Sequence, residues 1–412
     1  MTGAMEATVT PAVCLGGGFG GIILLSVVRS LAKIDVPVWV LSNRDFSPVR
    51  FSRFCRRILV PNVESDPHGL EAALSICARD LGRKPVLFVV SDAEALFVAE
   101  RRHRLEQYYH IAAPTAELAR DLIDKRRQYE LIERWGMPMP RTYHGINASA
   151  ARSDSFEFPL VIKPAISAQW ALGRQKAILV EDAVELERHL RTFEGACTPV
   201  VVQSAIPGPA SCLYTVVAYV NRAHEPLAWG AYRKVRQYPR EFGMGAVAET
   251  VNVPALEERA LQLLRDLQFT GVCGIEFKQD PRDGVFRLIE INPRFELANS
   301  LIATAGVDLA RTMYADLTGS AEAPRRPYRT GISWMALNME FKACRELSAR
   351  GEFSWKEWIV SLRGLRREAL LSWDDPLPGV ASYLGTFRNL LYERLRSGSS
   401  KAATAHWERK SG

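Results

Sequence analysis

The sequence predicts an α/β N-terminal domain built on a parallel sheet, then an α+β domain, then a helical C-terminal segment. Three observations carry this. Strand and helix signals alternate from residue 12 to about 110. From 158 to 290 short apolar strands dominate. After about 320 the pattern turns helical and tryptophan-rich. Alternation implies parallel strands with helices on the sheet faces, whereas a run of strands implies a separate α+β unit. At 412 residues the chain exceeds what one core holds. The divisions read as 1–112, 113–320, 321–396 and a tail, 397–412, whose composition predicts disorder.

In order, AVCLG reads as a strand and is followed by a helix from about Gly21 to Lys33. VPVWVLS is a second strand, GLEAALSICARDLG a helix stopped at Gly82, and KPVLFVVSD a buried strand. Ligands of such sheets bind beyond the C-terminal strand ends. Gly16 to Gly21, Ser42-Asn43 and Ser91-Asp92 all fall there. TAELARDLIDKRRQYELIERWG is one or two helices closed by Gly136, with Pro138 and Pro140 beyond the stop. FPLVIKP, KAILVE, TPVVVQSAI, CLYTVVAYV, PLAWGAYRK, VCGIEFK and GVFRLIEI read as strands. DAVELERHLRTF and PALEERALQLLRDL are the helices between them.

Composition narrows the class. Hydrophobic residues make up 47% and charged residues 24%, an ordinary globular mix. No window approaches ~18 uninterrupted apolar residues, so no transmembrane segment is expected. The N-terminus lacks the basic start and apolar run of a signal peptide, which points to a cytoplasmic protein. The seven cysteines include no C-x-x-C pair and the seven histidines show no ligand spacing, against a disulfide framework or zinc site. Net charge is +7, and residues 321–412 carry 16 Lys and Arg against 10 Asp and Glu, six of that excess. A solvated helical surface accounts for this; so does a peripheral contact with an acidic partner or anionic membrane face. The near-neutral body argues against nucleic acid.

The glycine turn CLGGGFGGI contains G-x-G-x-x-G at Gly16, Gly18 and Gly21. A dinucleotide fingerprint also needs an acid ending the second strand. Here that strand ends in Leu41-Ser42-Asn43, and Asp45 comes two residues late. A cleft wall offering backbone N–H groups to an anionic substrate fits better.

Residues 272–295, VCGIEFKQDPRDGVFRLIEINPRF, read as a hairpin around Asp280-Pro281-Arg282-Asp283-Gly284. Glu290 and Asn292 share one strand face, and Glu276 lies near the mirror position. Opposed carboxylates repel, so the reading expects a cation between them. Carboxylate and amide oxygens suit Mg²⁺ or Mn²⁺, and magnesium favours few protein oxygens plus phosphate oxygens. That points to a nucleoside triphosphate.

At these residues the chain resembles the ATP-grasp superfamily over roughly 115–320, which implies an ATP-grasp domain of two subdomains with the nucleotide cleft between them. The resemblance implies ATP and Mg²⁺ (or Mn²⁺), with Glu276, Glu290 and Asn292 as metal ligands. Lys125 and Lys163 resemble the two lysines that contact ATP phosphates, a fit task for a point charge. VVVQSAIPG resembles the linker strand that meets adenine, with Gln203, Ser204, Ala205 and Ile206 as backbone contacts. Arg294 would sit beside the transferred phosphate. GAYRKVRQYPREFGMGAVAE and the late segment FSWKEWIVSLRGLRREALLSWDDPLPG resemble carboxylate–amine ligases, D-aspartate ligase-like proteins among them. Arg233, Lys234 and Arg236 would then face the cleft, guanidinium forks suiting carboxylate or phosphate.

Two departures stand out. The phosphate-covering loop AISAQWALGRQK has one glycine, with Lys176 as compensation, and Pro209-Ala210-Ser211 replaces the usual ribose-binding acid. The implied partners are small-molecule carboxylate and amine substrates, and the oligomeric state is open. Two other classes stay in view: a nicotinamide oxidoreductase using the glycine turn, and a non-catalytic nucleotide-binding module.

Overall fold

The computed structural model describes residues 9–16, 21–43, 48–152, 155–166, 176–320, 327–352, 354–361 and 364–388. Most of the glycine turn (17–20), Asp45, most of the phosphate loop (167–175) and the tail (397–412) lie outside the described residues.

The N-terminal part runs β1 (Ala12–Leu15), α1 (Gly21–Ala32), β2 (Val38–Ser42), β3 (Cys55–Leu59), α2 (Pro67–Asp80), β4 (Val86–Val89), α3 (Asp92–Glu100) and α4 (Arg102–Leu105). Its sheet has order β3-β2-β1-β4, with every pair parallel. Three of these strands are apolar runs legible in the sequence. The edge strand β3, CRRIL, is not, because most of its side chains meet solvent. Gly16 closes β1 for a steric reason: a Cβ there would stand 2.4 Å from the Val90 side chain. Helix α1 is buried on nearly all sides, as suits a helix with an element on each face.

Next come α5 (Ala116–Ile123), α6 (Lys125–Arg134), β5 (Thr142–Tyr143), β6 (Leu160–Pro164), β7 (Ile178–Val180), α7 (Ala183–Gly195) and β8 (Val200–Ser204). These strands make a small antiparallel sheet of order β5-β8-β6-β7. The chain then builds β9 (Leu213–Val220), β10 (Pro226–Tyr238), β11 (Met244–Thr250), α8 (Pro254–Asp266), β12 (Gly271–Gln279), β13 (Phe286–Asn292), α9 (Asn299–Ala305) and α10 (Leu309–Thr318). The C-terminal part supplies β14 (Ser333–Met335), α11 (Leu337–Ala349), α12 (Trp355–Ser361) and β15 (Leu365–Glu368), then a helical stretch over 377–388.

The large sheet has order β13-β12-β9-β10-β11-β14-β15. The C-terminal region is thus helical, as expected, and also adds two short strands, β14 and β15, to this sheet. Odd positions of β12 (Cys273, Ile275, Phe277) pack with α6 and α8 in one core. The other face shares a core with α1, β1, α9 and α10. The N-terminal sheet and the large sheet are therefore joined by common buried surface. No helix among the described residues is long and apolar enough to cross a membrane.

Candidate active site

The β12–β13 register puts Glu276 opposite Glu290 and Gly274 opposite Asn292. Paired residues share a face, so both acids and the amide look away from the α8 core. Strand β13 is a sheet edge, where unpaired backbone groups need cover. Buried Gln128 supplies it: its side-chain amide accepts from Ile291 N at 3.1 Å and donates to Ile291 O at 2.8 Å. Tyr129 OH bonds Ile289 O beside it, and Leu288 N donates to Pro138 O at 2.7 Å. The strand carrying Glu290 and Asn292 is held from outside the sheet.

Each acid has its own ammonium. Lys125 Nζ lies 2.7 Å from Glu290 Oε1, and Lys234 Nζ lies 3.0 Å from Glu276 Oε2. Burial works against the Glu290 carboxylate, but Lys125, with Lys176 and Lys163 behind it, holds its pKa down at about 2. Burial likewise disfavours the Lys125 and Lys234 ammonium ions, yet Glu290 and Glu276 respectively outweigh it and raise both. The like-charge repulsion is thus answered by lysines of the chain itself. This corrects the expectation that the fold needs an external cation between the acids.

Lys163 is different. Its ammonium donates to Gln203 Oε1 at 2.9 Å and Tyr129 OH at 3.2 Å, both neutral. Burial lowers its pKa to about 8 despite the pull of Glu290. Lys176 is exposed, but its ammonium feels desolvation on the site side, then Lys234, and is also lowered; Glu276, Glu290 and Arg294 are its other charged neighbours.

Arg294 Nε donates to Asp92 Oδ1 at 2.7 Å, and Nη2 reaches Asn292 Oδ1 at 3.2 Å. Asp92 begins α3 beyond the C-terminal end of β4, so this pair ties the N-terminal sheet to the large one. Glu296 sits next to it, 7% exposed. Arg294 Nη1 is 3.5 Å from Glu296 Oε1, which has no hydrogen-bond partner. The Glu296 stem lies over Gly274, where a Cβ would come within 2.3 Å of its Cγ. Burial lifts the Glu296 carboxyl to about 7; Arg294 opposes this, while Glu276 and Glu290 add to it.

The structure therefore brings together Lys125, Lys163, Lys176, Glu276, Glu290, Asn292 and Arg294. It does not bring in Arg233 and Arg236. Arg233 pairs with Glu249 at 2.6 Å, and Arg236 with buried Glu340 on α11 at 2.6 Å. The cause is strand geometry. Arg233 precedes Lys234 by one residue and so points to the opposite face, and a bulge between Lys234 and Arg236 puts Arg236 on the Arg233 side. The expectation that both arginines face the cleft is corrected; only Lys234 does.

Part of the linker's backbone is engaged within the protein. Gln203 is buried, with its side chain between Lys163 and Thr142. Ser204 N and Ala205 N already donate to Arg141 O and Pro159 O, and Ile206 O accepts from Lys278 Nζ at 2.7 Å. Those groups are committed within the protein. Ser204 Oγ is buried without a partner. Sequence reasoning missed Glu296, Asp92 and Gln128 as parts of the site; ending in Ser91-Asp92 at a strand terminus was the one available signal.

The donor set fits Mg²⁺ escorted by phosphate. Among the described residues no group of three or more His, Cys, Asp or Glu could hold a metal unaided. Two carboxylates and an amide, already faced by ammonium groups, suit an ion bringing further oxygen ligands with it. A half-buried lysine with only neutral partners suits the triphosphate itself.

A small lysine-bearing sheet facing a large sheet that carries paired acids is the arrangement the ATP-grasp resemblance implies, and the comparisons point the same way. The family described as "ATP-grasp in the biosynthetic pathway with Ter operon" matches residues 227–339. The chain is 27% identical over 319 residues to the D-aspartate ligase of Enterococcus faecium (strain Aus0004), covering 72% of this chain and 75% of that one. Its fold matches L-amino acid ligase from Bacillus licheniformis (TM-score 0.59, 14% identity, 79% of each chain). It also matches the biotin carboxylase domain of Hydrogenobacter thermophilus 2-oxoglutarate carboxylase, solved with MgADP and bicarbonate (TM-score 0.60, 16% identity, 79% of this chain and 73% of that one). The chain is thus similar to ATP-grasp carboxylate–amine ligases in sequence and in fold.

Proposed function

We propose that this ATP-dependent ligase joins a carboxylate to an amine through an acyl phosphate. A substrate carboxylate oxygen attacks the γ-phosphorus of ATP and ADP leaves. The amine nitrogen then attacks the acyl carbon, the carbon–oxygen bond to phosphate breaks, and inorganic phosphate departs. Positioning and charge neutralisation do most of such work. Lys125 and Lys163 neutralise the phosphates, with Lys176 and Lys234 beside them. Glu276, Glu290 and Asn292 would hold Mg²⁺ or Mn²⁺, which neutralises phosphate charge when bound. Arg294, oriented by Asp92, steadies the group in transfer. Glu296 faces the same space as a carboxylate for the amine. In this reading residues 1–112 frame the acceptor side, 113–320 hold the nucleotide, and 321–396 complete the large sheet.

The observation that supports this most is Lys163: a half-buried ammonium beside two acids with no carboxylate of its own among the described residues. A phosphate-release screen of paired carboxylates and amines with Mg-ATP tests the reading. D-aspartate, named for the relative, is the first substrate to try. ADP formation that requires both a carboxylate and an amine supports it; no ADP with any pair, or nicotinamide binding without ATP binding, refutes it. The nicotinamide alternative lacks support at β2, which ends at Ser42 with no acid.

A further inference from the structure

A cavity of about 290 Å³ opens at the other end of the interface between the N-terminal sheet and the large one. The C-terminal half of α1, the α9–α10 turn and β15 line it. Arg29 lies eight residues into α1, so it is roughly 12 Å along the helix from the glycine turn. Four lining residues are cations, Arg29, Lys33, Arg311 and Arg367, and one is an acid, Asp308. Asp308 is already engaged: it accepts from Arg311 N at 3.2 Å and from Ser30 Oγ at 2.7 Å.

Two guanidinium groups lack partners at specific atoms. Arg29, 2% exposed, bonds Asp375 and Leu370 O, but its Nη1 is buried with no hydrogen bond. Arg367 Nε is likewise buried and unpaired. Burial, then the nearby Arg29, lowers the Arg367 pKa. Asp375 answers Arg29 at Nε, but the acids nearest Arg367 are engaged elsewhere. Glu368 accepts from Leu337 N, Leu370 N, Leu371 N and Tyr383 OH, and Asp374 from Ser372. An unsatisfied buried donor costs about 1–3 kcal/mol, more when charged. An anion between the guanidiniums would satisfy both and cancel their repulsion, with Ser300, whose hydroxyl accepts from Trp334 Nε1, offering a further O–H.

We infer that this cavity is a second binding site, remote from the nucleotide, for a small anion carrying two or more negative charges: a phosphate ester or a polycarboxylate. It rests on Arg29 and Arg367 and does not depend on the ligase reading. The test uses calorimetry on the full chain without metal, with inorganic phosphate in one arm and citrate in the other. The parent, Lys163→Gln and Arg367→Gln are compared. Binding of either anion that survives Lys163→Gln and weakens at least about tenfold in Arg367→Gln supports the site; the arm that binds identifies the source. Arg367→Gln should melt no lower than the parent without ligand, because it removes a repelled charge, and Lys33→Gln at the exposed rim gives an independent, smaller loss. Unchanged affinity in both Arg367→Gln and Lys33→Gln, loss of all binding in Lys163→Gln, or no heat from either anion overturns it.

Discussion

Lys125 Nζ and Glu290 Oε1 stand 2.7 Å apart across the space between α6 and the edge strand β13. The lysine fills the place of a cation on one acid, and Lys234 does so on the other, 3.0 Å from Glu276. Both acids are therefore paired within the chain, while Lys163 has only neutral partners. In the proposed function, Mg-nucleotide binding would be an exchange in which ammonium groups pass from carboxylate to phosphate.

This exchange makes metal binding conditional. Mn²⁺ alone should bind weakly, because Glu276 and Glu290 are already neutralised by lysines. With ADP present, affinity should rise by tenfold or more, about 1.4 kcal/mol. Calorimetry with and without ADP measures this; equal affinity in both titrations contradicts it.

Arg294 depends on Asp92, from a different sheet, at 2.7 Å. Asp92→Ala should leave the fold in place and lower kcat by about 10–100-fold, the scale of one hydrogen bond to a charged group (1.5–3 kcal/mol). Steady-state ADP release and a thermal melt separate the two. A melting point that collapses while the rate per folded molecule holds would make the pair structural only.

Glu296 predicts a pH signature. Its carboxyl moves from an ordinary 4.5 to about 7 in the fold. The folded state thus holds a proton the unfolded state has lost, so this contribution to stability is full below 4.5 and disappears as pH rises through about 7. Glu296→Gln removes the dependence. The stability gap between variant and parent, in favour of the variant, should widen from pH 4.5 to 7 and then level off. Denaturant melts across that range check it; parallel curves contradict it.

Asp375 lies buried between Arg29, at 3.0 Å, and Ser52 Oγ, at 2.8 Å, and pins the C-terminal segment to α1. Asp375→Ala leaves Arg29 buried without its counter-ion, which costs about 3–5 kcal/mol. Urea unfolding should show that loss with ATP affinity little changed. A loss under about 1 kcal/mol would mean that solvent reaches Arg29 in the variant.

Much of this was readable in the sequence where chemistry is local. The β12–β13 hairpin, its turn and the facing of Glu276 with Glu290 follow from alternation and turn residues within one short stretch. Lys163 stood out because an ammonium ends an apolar strand. What escaped depends on distant chain or on one irregular residue. The bulge beside Val235 turns Arg236 away from Lys234, and nothing in GAYRKVRQY announces it. Asp92 meets Arg294 across 202 residues. Glu296 reads as an ordinary acid before a helix until Gly274 is seen beneath it. Strands β11, β14 and β15 were missed because they are short, glycine-containing or polar, and pairing alone makes them strands.

The most direct measurement is ADP release by Glu290→Ala with Mg²⁺ and with Mn²⁺, beside its circular dichroism. Loss of a centrally placed electrostatic group should lower turnover by about 10²–10³-fold or more, with the spectrum of the parent retained. Turnover close to the parent with either metal, in a folded variant, would contradict the assignment of this cleft to Mg-ATP.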